Sequence, residues 1–286
     1  MKQLSILFIS VIFLSNNSPG QSTGSKPFIL GVIDEIQSVQ LAEKRILNIY
    51  LPEGYQQNDT IRYPVIYLLD GSATEDFIHI SGLVQFLNFP WINTVPRSIV
   101  VGIENVDRRR DFSFPTTIKK DKENYPTSGS SAKFMAFIEK ELQPFIERKY
   151  KAGGAKTIIG QSLGGLLATE ILFKKPALFN TYIIVSPSLW WDDGSLFAVA
   201  PEILQAGFRH KTSIYIGVGK EGLWPGPGHH IMEEDAKKLS SMIRHAKNKN
   251  LTVFFDYLPA EDHATILHPA VFNAFRLLYP AKIKKN

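Results

Sequence analysis

Lys156 to Ala168 reads KTIIGQSLGGLLA. Two β-branched isoleucines, Ile158 and Ile159, run into Gly160-Gln161-Ser162-Leu163-Gly164. Gly165 follows, and then an apolar helical run from Leu166 to Phe173. This is a strand, a tight turn and a helix, with a serine at the turn. A serine in that place takes a strained backbone, and its neighbours need almost no side chain, which Gly160 and Gly164 supply. The geometry pushes a hydroxyl clear of the sheet. It also aims the next backbone N–H and a helix N-terminus at developing negative charge. Gly-x-Ser-x-Gly alone is a weak signal, because both residue types are common. The apolar strand before it and the apolar helix after it favour a nucleophile over a glycine-rich loop with a solvated serine.

Outward from this elbow, strands alternate with helices from Tyr63 onward. Tyr63 to Leu69 (YPVIYLL) and Ser98 to Ile103 (SIVVGI) are continuous apolar runs, as strands buried on both faces should be. Tyr182 to Val185, Ser213 to Val218 and Leu251 to Leu258 continue the series. Helices are expected over Ile78 to Asn88, from a cap at Ser131 through Lys149 with a kink at Pro144, from Ile231 to Ala246, and over Pro269 to Leu278. Ile33 to Ser38 and Arg45 to Leu51 read as an antiparallel edge pair. Glu104 to Gly129 is long, polar and irregular, which marks either function or disorder. The alternation predicts an α/β fold: one mostly parallel sheet with helices on both faces, about Lys26 to Lys282, and no separate lid domain. Ligands of such sheets bind outside the carboxyl ends of the strands.

The chain has 286 residues, 44% of them hydrophobic, which suits one α/β domain over residues 21–286. Residues 1–20 read as a secretory signal peptide. Lys2 gives the positive start and Ile6 to Leu14 an apolar stretch too short to span a bilayer. Small and polar residues follow from Ser15 to Ser25, with a cut near Gly20 or Ser22. A buried N-terminal strand or an uncleaved anchor is the alternative. No transmembrane segment is expected in the mature chain. The absence of cysteine excludes a disulfide, a thiol nucleophile, a cysteine metal site and a lipid anchor at the cut. An exported chain without cysteine suggests a bacterial envelope, periplasmic or secreted. The net charge of +5 is a mild excess, partly from Lys282, Lys284 and Lys285. It is not a nucleic-acid footprint.

Ser162 needs a base. Of the seven histidines, His263 sits just after the last strand, in Pro259-Ala260-Glu261-Asp262-His263-Ala264, where an imidazole can swing toward the elbow. His268 is second, at the start of the final helix. His245 reads as solvated, and His229 and His230 lack a plausible third ligand for a metal. An acid between serine and histidine should orient the base. Glu221, after the strand Ser213 to Val218, is the choice, with Asp192, Asp193 and Asp262 competing. The oxyanion would take the N–H of Leu163 and, from the loop Asp70-Gly71-Ser72, the N–H of Ser72. Arg108, Arg109 and Arg110 either fork onto an anionic or electron-rich substrate or pair with Asp111 to hold their loop. Trp190 and Trp191 either pack in the core or offer a flat wall to an aromatic or sugar ring. Trp224 is a weaker candidate of the same kind.

Five patches together resemble one family. They are YLLDG (Tyr67 to Gly71), VGIENVDRRRDFSFP (Val101 to Pro115), GQSLGG (Gly160 to Gly165), SPSLWW (Ser186 to Trp191) and DHATI (Asp262 to Ile266). From about Arg45 to Leu278 the chain is similar to the esterase D family of α/β hydrolases. That family includes siderophore esterases, feruloyl and acetyl-xylan esterases, S-formylglutathione hydrolases and mycolyltransferases. The resemblance implies a serine esterase without metal or cofactor. It makes Ser162, Glu221 and His263 the triad, and Ser72 and Leu163 the oxyanion donors. The match around Glu221 is the loosest. Export departs from the cytosolic S-formylglutathione branch. The expected activity is hydrolysis of a small-molecule or glycan carboxylic ester, with a catecholate siderophore trilactone as the leading substrate. A feruloyl or acetyl polysaccharide esterase, an acyltransferase and a non-catalytic envelope binding protein are the alternatives.

Overall fold

In the computed structural model, which describes residues 24–280 apart from Asp59 and Pro227, the strands form one eight-stranded sheet. The signal-peptide expectation for residues 1–20 lies outside the described residues. In chain order the elements are β1 (Val32–Ser38), β2 (Glu43–Tyr50), β3 (Tyr63–Leu68), α1 (Phe77–Asn88), β4 (Ile99–Ile103), α2 (Arg108–Phe112), α3 (Lys119–Asn124), α4 (Ser131–Phe137) and α5 (Gln143–Lys149). They continue with β5 (Ala152–Gln161), α6 (Leu163–Lys174), β6 (Thr181–Val185), β7 (Thr212–Gly219), α7 (Met232–His245), β8 (Leu251–Leu258) and α8 (Leu267–Leu278). The strand order is β1-β2-β4-β3-β5-β6-β7-β8. β1 pairs antiparallel with β2, and β2 antiparallel with β4. From β4 to β8 every pairing is parallel. This is the mostly parallel sheet with an antiparallel edge that the alternation of patterns called for.

The two faces of the sheet carry separate cores. On one face Phe77, Ile80, Val84 and Leu87 of α1 pack with Ala270, Val271 and Phe275 of α8. On the other, Phe134, Ile146, Leu167 and Ile171 of α4 to α6 pack with Ala236, Leu239 and Ile243 of α7. β4 and β6 are buried at every position, which is why their sequences are apolar without alternation. Pro64 lies in β3, a central strand, and the register with β5 shifts between Tyr63 and Val65. The irregularity falls where proline has no N–H to give the ladder.

Three local expectations need revision. The long segment 104–129 is not wholly irregular, because it carries the short helices α2 and α3. The helix cap falls at Ser130, while Ser131 is the first helical residue, buried with its hydroxyl unpaired. The expected kink at Pro144 appears instead as a wide π turn, Ile138–Leu142, between α4 and α5. Pro144 then enters the first turn of α5, where a missing N–H costs nothing.

Candidate active site

β5 ends in the middle of the sheet, and Ser162 follows it at φ 59°, ψ −119°, with α6 starting at the next residue. Three backbone hydrogen bonds fix the turn. Ser162 N–H donates to Val185 O at 3.1 Å, and Ser162 O accepts from Leu166 at 2.9 Å and Ser188 at 3.0 Å. Gly160 is required by contact, since a Cβ there would stand 2.4 Å from Gly164 O. The expectation for Gly164 is revised. A Cβ on it would meet ordinary contacts at 3.4 Å, whereas on Gly165 it would press on Pro187 and Val185 O at 2.9 Å. The room at the elbow therefore comes from Gly160 and Gly165.

β7 and β8 deliver two further groups. Glu221 leaves the end of β7 and His263 follows β8, and His263 Nδ1 lies 2.5 Å from Glu221 Oε2. Burial would push the Glu221 carboxyl up. Hydrogen bonds from His263 and Ser186, the charge of His263 and the Gly219 N–H outweigh it and hold the carboxyl below its ordinary value. An ionised carboxylate only accepts, so Nδ1 carries the proton in this pair and Nε2 is the ring nitrogen free to face Ser162. The loops are stitched together by Lys220 N–H to Glu261 O at 2.8 Å and by Gln161 Nε2 to His263 O. Ser162 Oγ lies 3.3 Å from Ser188 Oγ, its hydrogen-bond partner among the described residues.

The competing side chains are engaged elsewhere. Asp192 is buried and accepts from Thr116 and Thr117. Asp193 lies 3.2 Å from His230, whose other ring nitrogen is 2.8 Å from Asp235. Asp262 closes its own turn by accepting from the Ala264 and Thr265 N–H groups. His268 lies in α8, 3.2 Å from Asp76 and stacked on His79. His245 is exposed on α7. Among the described residues no cluster of three or more His, Asp or Glu side chains is set to hold a metal ion.

Ser162, Leu163, Glu221 and His263 line a cavity of about 540 Å³ with Arg108, Arg109, Tyr125, Ser188, Trp190, Leu223, Trp224, Pro225 and Met232. A second cavity of about 440 Å³ meets it at Ser162, His263 and Arg108 and is walled by Asp70, Glu75, Asp76, Gln161 and Ala264. The arginines part company. Arg108 forks onto Asp70 at 2.6 and 3.0 Å and reaches Gln161 O at 3.2 Å. Arg109 lies over the Tyr125 ring at 5.0 Å and donates to Asn124 O, with no carboxylate partner among the described residues. Arg110 leaves the cavity altogether. It is bidentate on Glu43 and bound to Asp111, in a buried network with Arg45, and these partners raise its pKa.

The tryptophans divide likewise. Trp190 lines the cavity, stacked on Trp224 at 3.7 Å and 8°. Trp191 is fully buried, its indole N–H donating to Phe114 O. Ser72 is buried in the β3–α1 turn and lines neither cavity, and its hydroxyl lies 3.2 Å from that of Thr74. That turn is pinned by Gly71 N–H to Ile103 O and by Asn48 Nδ2 to Gly71 O. Tyr125, Ser186, Ser188 and Gln161 were missed in the sequence. Ser186 and Ser188 stood inside a quoted patch, but Tyr125 has no periodicity around it to mark it.

A family model described as "Putative esterase" matches residues 38–255. The chain belongs to that esterase family. The ferri-bacillibactin esterase BesA of Bacillus subtilis is 29% identical over 253 residues, 83% of this chain and 86% of its own. An IroE-like serine hydrolase of Shewanella oneidensis superposes with a TM-score of 0.78 at 30% identity, over 87% of this chain and 80% of that one. The BES protein of Bacillus cereus gives 0.76 at 26% identity, over 91% of this chain and 100% of that one. The esterase is thus a carboxylic-ester hydrolase on the α/β-hydrolase fold. Among its described residues no helix is long and apolar enough to cross a membrane.

Proposed function

We propose that this esterase cleaves its substrate through an acyl-enzyme on Ser162, with His263 as base and Glu221 as the group that orients it, and that the substrate is a siderophore ester. The observation that carries the triad is the 2.5 Å pairing of His263 Nδ1 with Glu221, in the cavity that Ser162 also lines. His263 Nε2 accepts the Ser162 proton as Oγ bonds to the ester carbonyl carbon, and the carbonyl oxygen becomes an oxyanion. The Leu163 N–H, first in α6 and without an intrahelical acceptor, donates to it. Collapse breaks the ester C–O bond, and the proton on His263 goes to the leaving alcohol. Water then attacks the acyl-enzyme with the same base, releasing acid and free Ser162. For the first step the Ser162 hydroxyl must turn from Ser188 to His263, a tightening common when an empty site fills.

The substrate class rests on the wall of the larger cavity. Tyr125 and Trp224, which is backed by the buried Trp190 stacked on it, offer apolar surface, and the exposed Arg109 guanidinium offers charge to an oxygen anion. An acyl group with an electron-rich aromatic ring suits both. BesA, a relative along most of the chain, is by its name a ferri-bacillibactin esterase, and a relative in Emericella nidulans matched over 25% of this chain is named a siderophore enterobactin esterase. Residues 1–20 are a signal peptide in this reading, so the enzyme acts in the periplasm or outside the cell. The test is a hydrolysis panel of p-nitrophenyl acetate, a feruloyl ester and a ferric catecholate trilactone, with Ser162→Ala as control. The trilactone should give the highest kcat/KM, and the control should be inactive on all three. Turnover of the acetate alone would refute the siderophore assignment.

A further inference from the structure

The patch Ser186-Pro187-Ser188 follows β6, and the triad does not account for its first residue. Ser186 is fully buried and sits at φ 41°, in the left-handed region that strains a non-glycine residue. Its N–H donates to Gly217 O at 2.8 Å, which ties the turn to β7. Its hydroxyl donates to Oε1 of Glu221, the oxygen that His263 does not use.

We propose that Ser186 is a positioning residue for the hydrolysis: its hydroxyl sets the rotation of the Glu221 carboxylate, so that Oε2 meets His263 Nδ1. The proposal rests on the triad reading above. A glutamate has one more rotatable bond than an aspartate and can miss its histidine by turning its side chain while the backbone stays in place. Here the backbone is already immobilised. Glu221 N–H donates to Glu233 Oε1 at 2.9 Å. Gly222 N–H donates to both Glu233 oxygens, at 3.1 and 2.9 Å, and Lys220 N–H is held by Glu261 O. The remaining freedom of Glu221 is in its side chain. Ser186 Oγ and the Gly219 N–H, 3.2 Å away, remove it by taking Oε1 together. The two carboxylate oxygens thus divide the work, one anchored and one facing the base. Because Glu221 is buried, the anchoring bond is charge-assisted and shielded from water, where such bonds are strongest. It also helps keep the carboxylate ionised against burial, so that it can accept from imidazolium.

A merely structural serine would fill the turn and nothing more. The two roles separate in a double-mutant cycle on p-nitrophenyl acetate, with Ser186→Ala, Ser186→Gly, Glu221→Gln and the pairwise combinations. The glycine variant removes the hydroxyl while relaxing the left-handed backbone, so it folds even where alanine is strained. Each single Ser186 variant should lower kcat by about tenfold to a hundredfold, the worth of a hydrogen bond to a buried charge, with KM within about twofold. Added to Glu221→Gln, neither should cost anything further, because the hydroxyl then has no catalytic carboxylate to steer. Losses that multiply instead, or a folded Ser186→Gly with wild-type kcat, would overturn the proposal and leave the triad standing. A Glu221→Gln variant with wild-type kcat would overturn both.

Discussion

At φ 59° and ψ −119°, Ser162 holds a conformation that costs an L-residue on the order of 1–3 kcal/mol, and its neighbours decide whether the chain can keep it. The pattern Gly-x-Ser-x-Gly treats both flanking glycines alike, but their surroundings differ. At Gly160 a methyl group would press on the rigid backbone of Gly164, while at Gly164 it would touch Asp70 and Leu69 at ordinary contact distance. Gly160→Ala should therefore lower the melting temperature by many degrees or prevent folding. Gly164→Ala should melt within a few degrees of the wild type, and Gly165→Ala should behave like Gly160→Ala. Thermal unfolding followed by circular dichroism ranks the three directly, and a Gly164 variant as damaged as the other two would contradict the steric account.

At the scale of elements, the division of labour among the arginines follows from helix geometry. Arg108 to Arg110 occupy α2, and successive residues of a helix point about 100° apart. Arg108 therefore pairs with Asp70 at the cavity wall, Arg109 faces the larger cavity without a carboxylate partner among the described residues, and Arg110 enters the network under β2. Arg109→Ala should raise KM for an anionic aromatic ester several-fold and leave the melting temperature unchanged. Arg110→Ala should do the reverse. It should cost about 1–3 kcal/mol, the worth of its hydrogen bonds to charged groups, with kcat per folded molecule intact, as chemical denaturation alongside kinetics would show. The succession of strands and helices, the antiparallel edge pair and the elbow were legible in the sequence because each is a local pattern of period or turn. The fate of Arg110 and Trp191 was not, because it depends on how a five-residue helix and a kinked turn are rotated against the sheet. The partners of Arg110 lie 67 residues away at Glu43 as well as next door at Asp111. Helix α7 was found from its apolar spacing, yet the use of its Glu233 to grip the Glu221 loop leaves no mark on that spacing.

Across the whole molecule, buried carboxyls pull stability against pH in opposite directions. Glu221 and Asp192 are held below their ordinary values, each by hydrogen bonds that outweigh the upward push of burial. Their contribution is full above the ordinary carboxyl range and is lost as pH falls through the lower folded values. Asp121 goes the other way. Burial first, and then the charges of Asp192 and Asp193, raise it above the ordinary 3.8, so its ionisation opposes folding at neutral pH. Asp121→Asn should therefore raise stability at pH 7. The gain should shrink as pH falls from the raised folded value toward 3.8, and a gain independent of pH across that range would refute the assignment. A different vulnerability comes from the place of β8. It ends the sheet, paired with β7 alone and only half buried along its length, while Ser162 hangs from β5 near the centre. Edge strands open before cores, so β8 can fray and carry His263 away while the serine turn remains intact. With His263 as the base proposed above, catalytic life should be shorter than structural life: on warming or in mild urea turnover should fall before the circular dichroism signal does, and should return on cooling or dilution.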